Sequence, residues 1–312
     1  MSWISVNDYH YPVGWEDGFD SDDRAKWYCQ QLEQGQILLF EKTPFELPKE
    51  HQEFLLSQRQ TDSRYHKNIS YRPNKNVLRG VSSNLAEDSD RLRQIMQSYS
   101  IQVTKFLSQF LSPYAQDWSL DFASFRPLEE EGRDLPLHKR NDLLHVDAFP
   151  SRPTRGRRIL RVFTNINPNR PRIWNTTDRF DVLAQRFAVE AGLNRIAARA
   201  LSSKRALSRL TARIMRLVGI NIADRSLYDE FMLRFHDYLK ENASFQSECP
   251  KIRLEFPPHS TWVVFTDGVP HAALSGQFAL EHTYIVSMNA LLSKHKAPIS
   301  VLEAICGRPL SV

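Results

Sequence analysis

Asn141–Pro168, NDLLHVDAFPSRPTRGRRILRVFTNINP, carries a histidine and an aspartate two residues apart, His145 and Asp147. On an extended chain the side chains at i and i+2 point to the same face. An imidazole and a carboxylate so placed can grip one metal ion from one direction. The flanks favour such a chain: Leu143 and Leu144 lead in, and after a loop Ile159–Ile166 is a β-branched and aromatic run expected to form a strand. A third ligand has to come from far along the sequence. His271 is the candidate, because it closes Asp267-Gly-Val-Pro-His271 directly after another extended run, Ser260–Thr266. Two histidines and one carboxylate on one face form the facial triad of non-haem Fe(II) oxygenases. A bare His-x-Asp triplet is common and more often an ordinary hydrogen bond than a metal site. The strand context and the second strand-end histidine lift this one above that background.

The chain of 312 residues has ample material for a buried core, in one large domain or two small ones. Its hydrophobic content of 41% is ordinary for a folded globular protein. Three cysteines, Cys29, Cys249 and Cys306, are widely spaced and form no Cys-x-x-Cys pair, which argues against a disulfide framework or a zinc ribbon. The first residues, MSWISVNDYHYPVGWEDGFDSDD, lack the basic start and apolar core of a signal peptide. No apolar run approaches the roughly 20 residues of a membrane span. A cytoplasmic protein is therefore expected. The net charge of +5 suits an anionic partner, and where the basic residues fall matters more than their sum.

Along the chain, residues 22–34 read as a helix, 36–40 as a short strand, and Pro48 as the first turn of a helix to about Ser57. Residues 60–80 read as a polar loop carrying Arg64, Lys67, Arg72, Lys75 and Arg79. Leu92, Ile95, Met96, Tyr99, Val103, Phe106, Leu107 and Phe110 keep the spacing of one buried helical face over about 89–111, and Pro113 ends it. From Trp118 onward extended signals dominate, at 119–125, 251–256, 260–266 and 278–288, split by a helical pattern over about 178–242. Short strands interrupted once by helices fit a β-barrel-like fold better than alternating βαβ units.

The helical insertion has a chemistry of its own. Between Ala191 and Ala223 lie seven Arg or Lys and no acidic residue. Arg205, Arg209, Arg213 and Arg216 recur at helical spacing, opposite Leu207, Leu210, Ile214 and Leu217. A solvated face on a core helix explains this as well as contact with an anionic membrane surface or a phosphorylated glycolipid does. Nucleic acid is not expected, since no aromatic residues interleave with the basic ones as stacking platforms.

Four segments together carry a family likeness: Ser124-Phe-Arg-Pro127, Arg140-Asn-Asp-Leu-Leu-His-Val-Asp-Ala-Phe-Pro150, Arg161–Pro168 (RVFTNINP) and Val269-Pro-His-Ala-Ala-Leu274. From about residue 20 to 305 the chain resembles the Kdo hydroxylases, bacterial Fe(II)/2-oxoglutarate-dependent dioxygenases that act on the 3-deoxy-octulosonate sugars of lipopolysaccharide. The resemblance implies an α+β protein with a double-stranded β-helix (jelly-roll) core at 118–312, N-terminal helices at 1–117, and the basic helical insertion at about 178–245. It implies His145, Asp147 and His271 as iron ligands, with 2-oxoglutarate and O2 as co-substrates. It implies hydroxylation of C3 of Kdo in Kdo-lipid A to give Ko; the basic helix would then dock the enzyme peripherally on the cytoplasmic face of the inner membrane.

One feature departs from the superfamily pattern, which often places an arginine for the 2-oxoglutarate C5 carboxylate about ten residues past the distal histidine. Here GQFALEHTYIV holds none, and His282 sits near that place. A buried carboxylate needs a cation or several donors. Arg161 is the first candidate, because arginine holds carboxylates bidentately and because it shares strand parity with Asn165; Arg126 is the second, and Asn165 and His282 complete the residues expected to bind 2-oxoglutarate. For the anionic sugar, Arg140 and Arg152 stand out among the arginines around the metal motif. Two other readings stay open on residues alone: a metal-dependent hydrolase or isomerase on a cupin-like barrel, and a non-enzymatic module that binds an anionic glycolipid. Serine-triad and P-loop chemistry are disfavoured, because neither G-x-S-x-G nor a P-loop motif is present.

Overall fold

The extended runs on either side of the His-x-Asp motif become neighbours in one sheet. The computed structural model describes residues 3–6, 21–58, 68–81, 85–199 and 225–311; the basic stripe of Arg205, Arg209, Arg213 and Arg216, and the loop cations Arg64 and Lys67, lie outside them. The main sheet runs β1 (Trp3–Ser5), β2 (Ile37–Phe40), β9 (Thr261–Phe265), β6 (Arg158–Asn165), β11 (Ala279–Val286), β5 (Trp118–Arg126), β3 (Ile69–Arg72) and β4 (Val77–Arg79). All its pairings are antiparallel except β1 with β2. A smaller sheet sets β7 (Arg172–Thr176) between β10 (His271–Ser275) and β8 (Ile252–Phe256). Two facing sheets joined by long crossovers are the jelly roll that the resemblance implies.

Each face of the main sheet has its own cover. On one side lies α3 (Ser89–Phe110), whose Leu92, Ile95, Met96, Tyr99, Val103 and Leu107 are buried as the periodicity predicts. With α1 (Ser21–Glu33) it packs on Leu160, Val162, Leu280 and Tyr284 in the larger core cluster. On the other side Phe163 and Trp262 meet Trp174 and Phe256 of the small sheet, the Phe256 and Trp262 rings stacked 3.9 Å apart. Every residue of β11 is therefore buried. Along it side chains alternate: His282 and Tyr284 turn toward Ser100 and Thr104 of α3, and Glu281 turns to the opposite face.

Two regions differ from expectation. Residues 60–80 are not simply a loop, because β3 and β4 form a hairpin there, turning through Pro73–Lys75 and a left-handed Asn76 (φ 50). Strands of four and three residues are too short for a period of two to register. The N-terminal region also does more than pack on the core: β2 pairs with β9 and β3 with β5, so residues before 117 complete the main sheet.

The insertion between β7 and β8 is helical as expected, with α5 (Phe180–Phe187), α6 (Leu193–Ala198), α7 (Leu227–Glu241) and α8 (Ala243–Glu248) among the described residues. Ser226 and Asp229 form a capping box on α7. Asp229 also accepts from the backbone N–H groups of Thr154 and Arg155, tying the insertion to the loop that follows the His-x-Asp motif.

Candidate metal centre

The His-x-Asp segment is extended, but it is not the regular strand that its flanks suggest. It meets β10 in an isolated bridge between His145 and His271, whose N–H and C=O groups exchange hydrogen bonds of 3.1 and 2.9 Å, and Ala273 N–H donates to Asn141 O at 2.8 Å. Asp147 N–H then donates to Thr266 O at 2.9 Å. The backbone groups left over are taken by the insertion. Gln246 on α8 accepts from Leu144 N–H at 3.0 Å and donates to Leu144 O at 2.9 Å, and His236 on α7 meets Val146 O at 2.9 Å. The segment is thus clamped between a barrel strand and two helices, which satisfies its buried polar groups without a ladder.

This clamp brings His145, Asp147 and His271 together, their ligand atoms all within 4.8 Å of one another. In both imidazoles Nδ1 faces the carbonyl two residues back: Leu143 O at 2.7 Å for His145, Val269 O at 2.9 Å for His271. A carbonyl can only accept, so Nδ1 carries the proton and Nε2 presents a lone pair. Burial pushes both imidazoles below their ordinary pKa, which keeps them neutral and available as ligands. For Asp147 burial acts to raise the pKa, but the Arg161 guanidinium beside it outweighs this and holds the carboxylate ionised. The His271 ring stacks on Trp174 at 4.9 Å, and His236 packs edge-on against His145 at 4.9 Å.

Beside the triad lies a layer of charge. Arg161 Nη1 is 3.3 Å from both Asp147 Oδ2 and Glu281 Oε1. Glu281 also accepts from Arg126 Nε at 2.9 Å, and Arg126 and Arg172 share Glu130 at 3.4 and 3.1 Å. Burial acts to raise the Glu281 pKa, yet the two arginines bring it to about 2. Arg126, Arg161, Arg172 and Trp174 line the same pocket as the triad. Within it Arg161 Nε, Arg172 Nε and Trp174 Nε1 are buried donors that make no hydrogen bond, and Asp147 Oδ2 accepts none. Orphaned buried donors cost about 1–3 kcal/mol each. A pocket that keeps three of them beside a neutral-His, ionised-Asp triad fits a divalent cation together with a carboxylate ligand.

Not every candidate reaches this pocket. Asn165 spends its amide on the carbonyls of Arg170, Phe256 and Pro257 and on the N–H of Asn167, which organises the turn after β6. His282 faces the other side of the sheet, its Nε2 2.8 Å from Ser100 Oγ, because β11 alternates and Glu281 takes the pocket side. The expectation that either holds 2-oxoglutarate is not met by this geometry. Arg140 is part-exposed and pairs with Asp142. Arg152 pairs with Asp121 and lies between the Phe122 and Phe149 rings.

The sequence reading missed Arg172 and Trp174, which line the pocket, and Glu281, which lies behind it and holds Arg126 and Arg161. Glu281 occupies the position where the superfamily pattern places an arginine, ten residues past His271. Its charge is reversed, and the cations come instead from β5, β6 and β7. The alternation of Arg172-Ile-Trp174 was the available signal for an inward pair on a short strand.

The model of the 3-deoxy-D-manno-oct-2-ulosonic acid (Kdo) hydroxylase family matches residues 15–309. Among solved structures, the Kdo hydroxylase KdoO, a non-heme Fe(II) alphaketoglutarate-dependent dioxygenase in complex with alphaketoglutarate and Fe(III), shares 35% identity. It covers 99% of this chain and 97% of its own at a TM-score of 0.79. The apo form of KdoO gives 34% identity, 100% and 97% coverage and 0.78. Its complex with succinate and Fe(III) gives 35%, 98%, 97% and 0.77. No curated protein matches the chain. With a full-length match in sequence and in fold, and with the triad assembled where the motifs place it, the chain belongs to the Kdo hydroxylase family.

Proposed function

We propose that the chain is an Fe(II)/2-oxoglutarate-dependent dioxygenase that hydroxylates C3 of Kdo in Kdo-lipid A, giving Ko. The observation that carries this is the pair of Nδ1-anchored imidazoles converging with an ionised Asp147 beside unpartnered guanidinium and indole N–H donors. His145 Nε2, His271 Nε2 and Asp147 would hold the iron and leave the rest of its coordination sphere free. Arg126, Arg161, Arg172 and Trp174 would orient the two carboxylates of 2-oxoglutarate. When bound, iron and 2-oxoglutarate supply the oxidising power: 2-oxoglutarate, O2 and the sugar C–H become succinate, CO2 and the alcohol. The protein's share is positioning and exclusion of water. The carbonyl anchors on Nδ1 fix the imidazole planes, the Trp174 face shields His271, and Glu281 holds Arg126 and Arg161 in place.

The substrate class, a Kdo-containing glycolipid, follows from the family. Among the described residues no helix is long and apolar enough to cross a membrane. Peripheral contact with the anionic cytoplasmic face of the inner membrane is our reading of the seven Arg or Lys at 191–223. The division into an N-terminal region up to 117 and a core from 118 is likewise proposed as one of sequence organisation. Incubation with Kdo-lipid A, Fe(II), 2-oxoglutarate and O2 is expected to add one oxygen atom to the Kdo moiety by mass spectrometry, with one succinate formed per product. Turnover without succinate points to a hydrolase or isomerase instead and overturns the proposal.

A further inference from the structure

We propose that Arg72, Phe122, Arg152 and Phe149 form the subsite that receives the carboxylate of the sugar acid. This rests on the hydroxylase reading and extends it to the substrate.

The apolar cluster joining the two sheets draws on β2, β6 and β9 and takes no residue from β3 or β5. On those two strands the same face carries a different surface. Its origin is a β-bulge: β11 pairs His282 with Ala123 but Tyr284 with Leu120, so Asp121 and Phe122 together oppose Thr283. The two bulged residues engage one cation. Arg152 forms an ion pair with Asp121, and its guanidinium lies 4.0 Å from the Phe122 ring centre. Arg72, beside Phe122 across the β3–β5 pairing, stacks on that ring at 4.7 Å. On the other flank Arg152 meets Phe149 at 4.2 Å, and Arg161 approaches Phe149 at 5.4 Å. The result is an alternating ladder, Arg72–Phe122–Arg152–Phe149–Arg161, ending 3.3 Å from the Asp147 carboxylate.

Among the described residues, Arg72 is the rung of the ladder that has no anion of its own. Arg161 has Asp147 and Glu281, and Arg152 has Asp121. Arg72 enters no ion pair among the described residues, and its buried Nε makes no hydrogen bond. Guanidinium groups that share a ring repel one another. A divalent cation and a dianionic co-substrate would cancel each other, so loading the centre leaves Arg72 without an anion. An arriving anion corrects this. The proposed substrate carries one near the reacting carbon, since the Kdo carboxylate is joined to C2 and hence lies two bonds from C3. Aromatic rings on both sides hold the Arg152 guanidinium flat, which pre-organises it for a planar carboxylate.

The test compares Kdo-lipid A with its Kdo methyl ester as substrates of the wild type, Arg72→Gln and Arg72→Lys. On the acid, Arg72→Gln is expected to raise the substrate KM about tenfold, the scale of one charge-assisted hydrogen bond. The kcat and the KM for 2-oxoglutarate should stay within about twofold. Arg72→Lys should recover part of the loss. On the ester, wild type and Arg72→Gln should coincide. An equal penalty on acid and ester, or none on the acid, overturns the subsite. Absence of oxygenated product from the wild type would instead overturn the hydroxylase reading on which it rests.

Discussion

Replacing Glu281 by glutamine removes one charge and almost no volume from the layer behind the pocket. In the native protein this carboxylate sits between Arg126 and Arg161, buried on β11, and its pKa falls from the ordinary 4.5 to about 2. A shift of that size corresponds to about 3 kcal/mol of folding stability at neutral pH. Removing one partner of a buried ion pair costs a similar amount, about 3–5 kcal/mol. The pH dependence follows from the sign of the shift. The folded carboxyl is the stronger acid, so its contribution is complete above the unfolded pKa and is lost as pH falls through the folded one. Urea unfolding followed by tryptophan fluorescence should show Glu281→Gln less stable by about 3 kcal/mol near pH 7, the gap closing to about 1 kcal/mol by pH 3. A gap below about 1 kcal/mol at neutral pH, or one that stays constant on acidification, would refute the view that the two arginines hold this carboxylate ionised.

Two further outcomes follow from the same geometry. His271→Ala removes one of three ligands, and its affinity for Fe(II) or Co(II), measured by anaerobic equilibrium dialysis, should fall more than about 100-fold, beyond the usual cost of a residue that merely supports a ligand. Trp174→Phe keeps a ring against His271 but deletes the unpartnered indole N–H; it should raise the KM for 2-oxoglutarate about tenfold with metal affinity unchanged, and an unaltered KM would exclude Trp174 from the co-substrate site.

Much of the architecture was legible because it rests on local pattern. The α3 stripe, the strands at 118–126, 158–165 and 261–265, and the helical interruption before β8 each obey one periodicity over enough residues to register. The hairpin β3–β4 did not, since three or four residues carry too little pattern, and neither did β7, whose RIWNT lacks the apolar run that marks β9. Arg161 and Arg126 were legible as cations near the motif, and both line the pocket. His282 and Asn165 were placed there by proximity along the chain, which cannot tell the two faces of a strand apart once register is unknown.

What the sequence by itself determined is the set of ligand types and the spacing that lets His145 and Asp147 act together. The tertiary structure alone decided which charges face them. A strand fixes the order of its side chains but not which side of the sheet is the inside, and that choice came from the α3 stripe covering one face of β11. Once His282 and Tyr284 turned toward that helix, Glu281 had to turn toward the metal pocket. Its buried charge then required the arginines of neighbouring strands, because an unpaired carboxylate is too costly to bury.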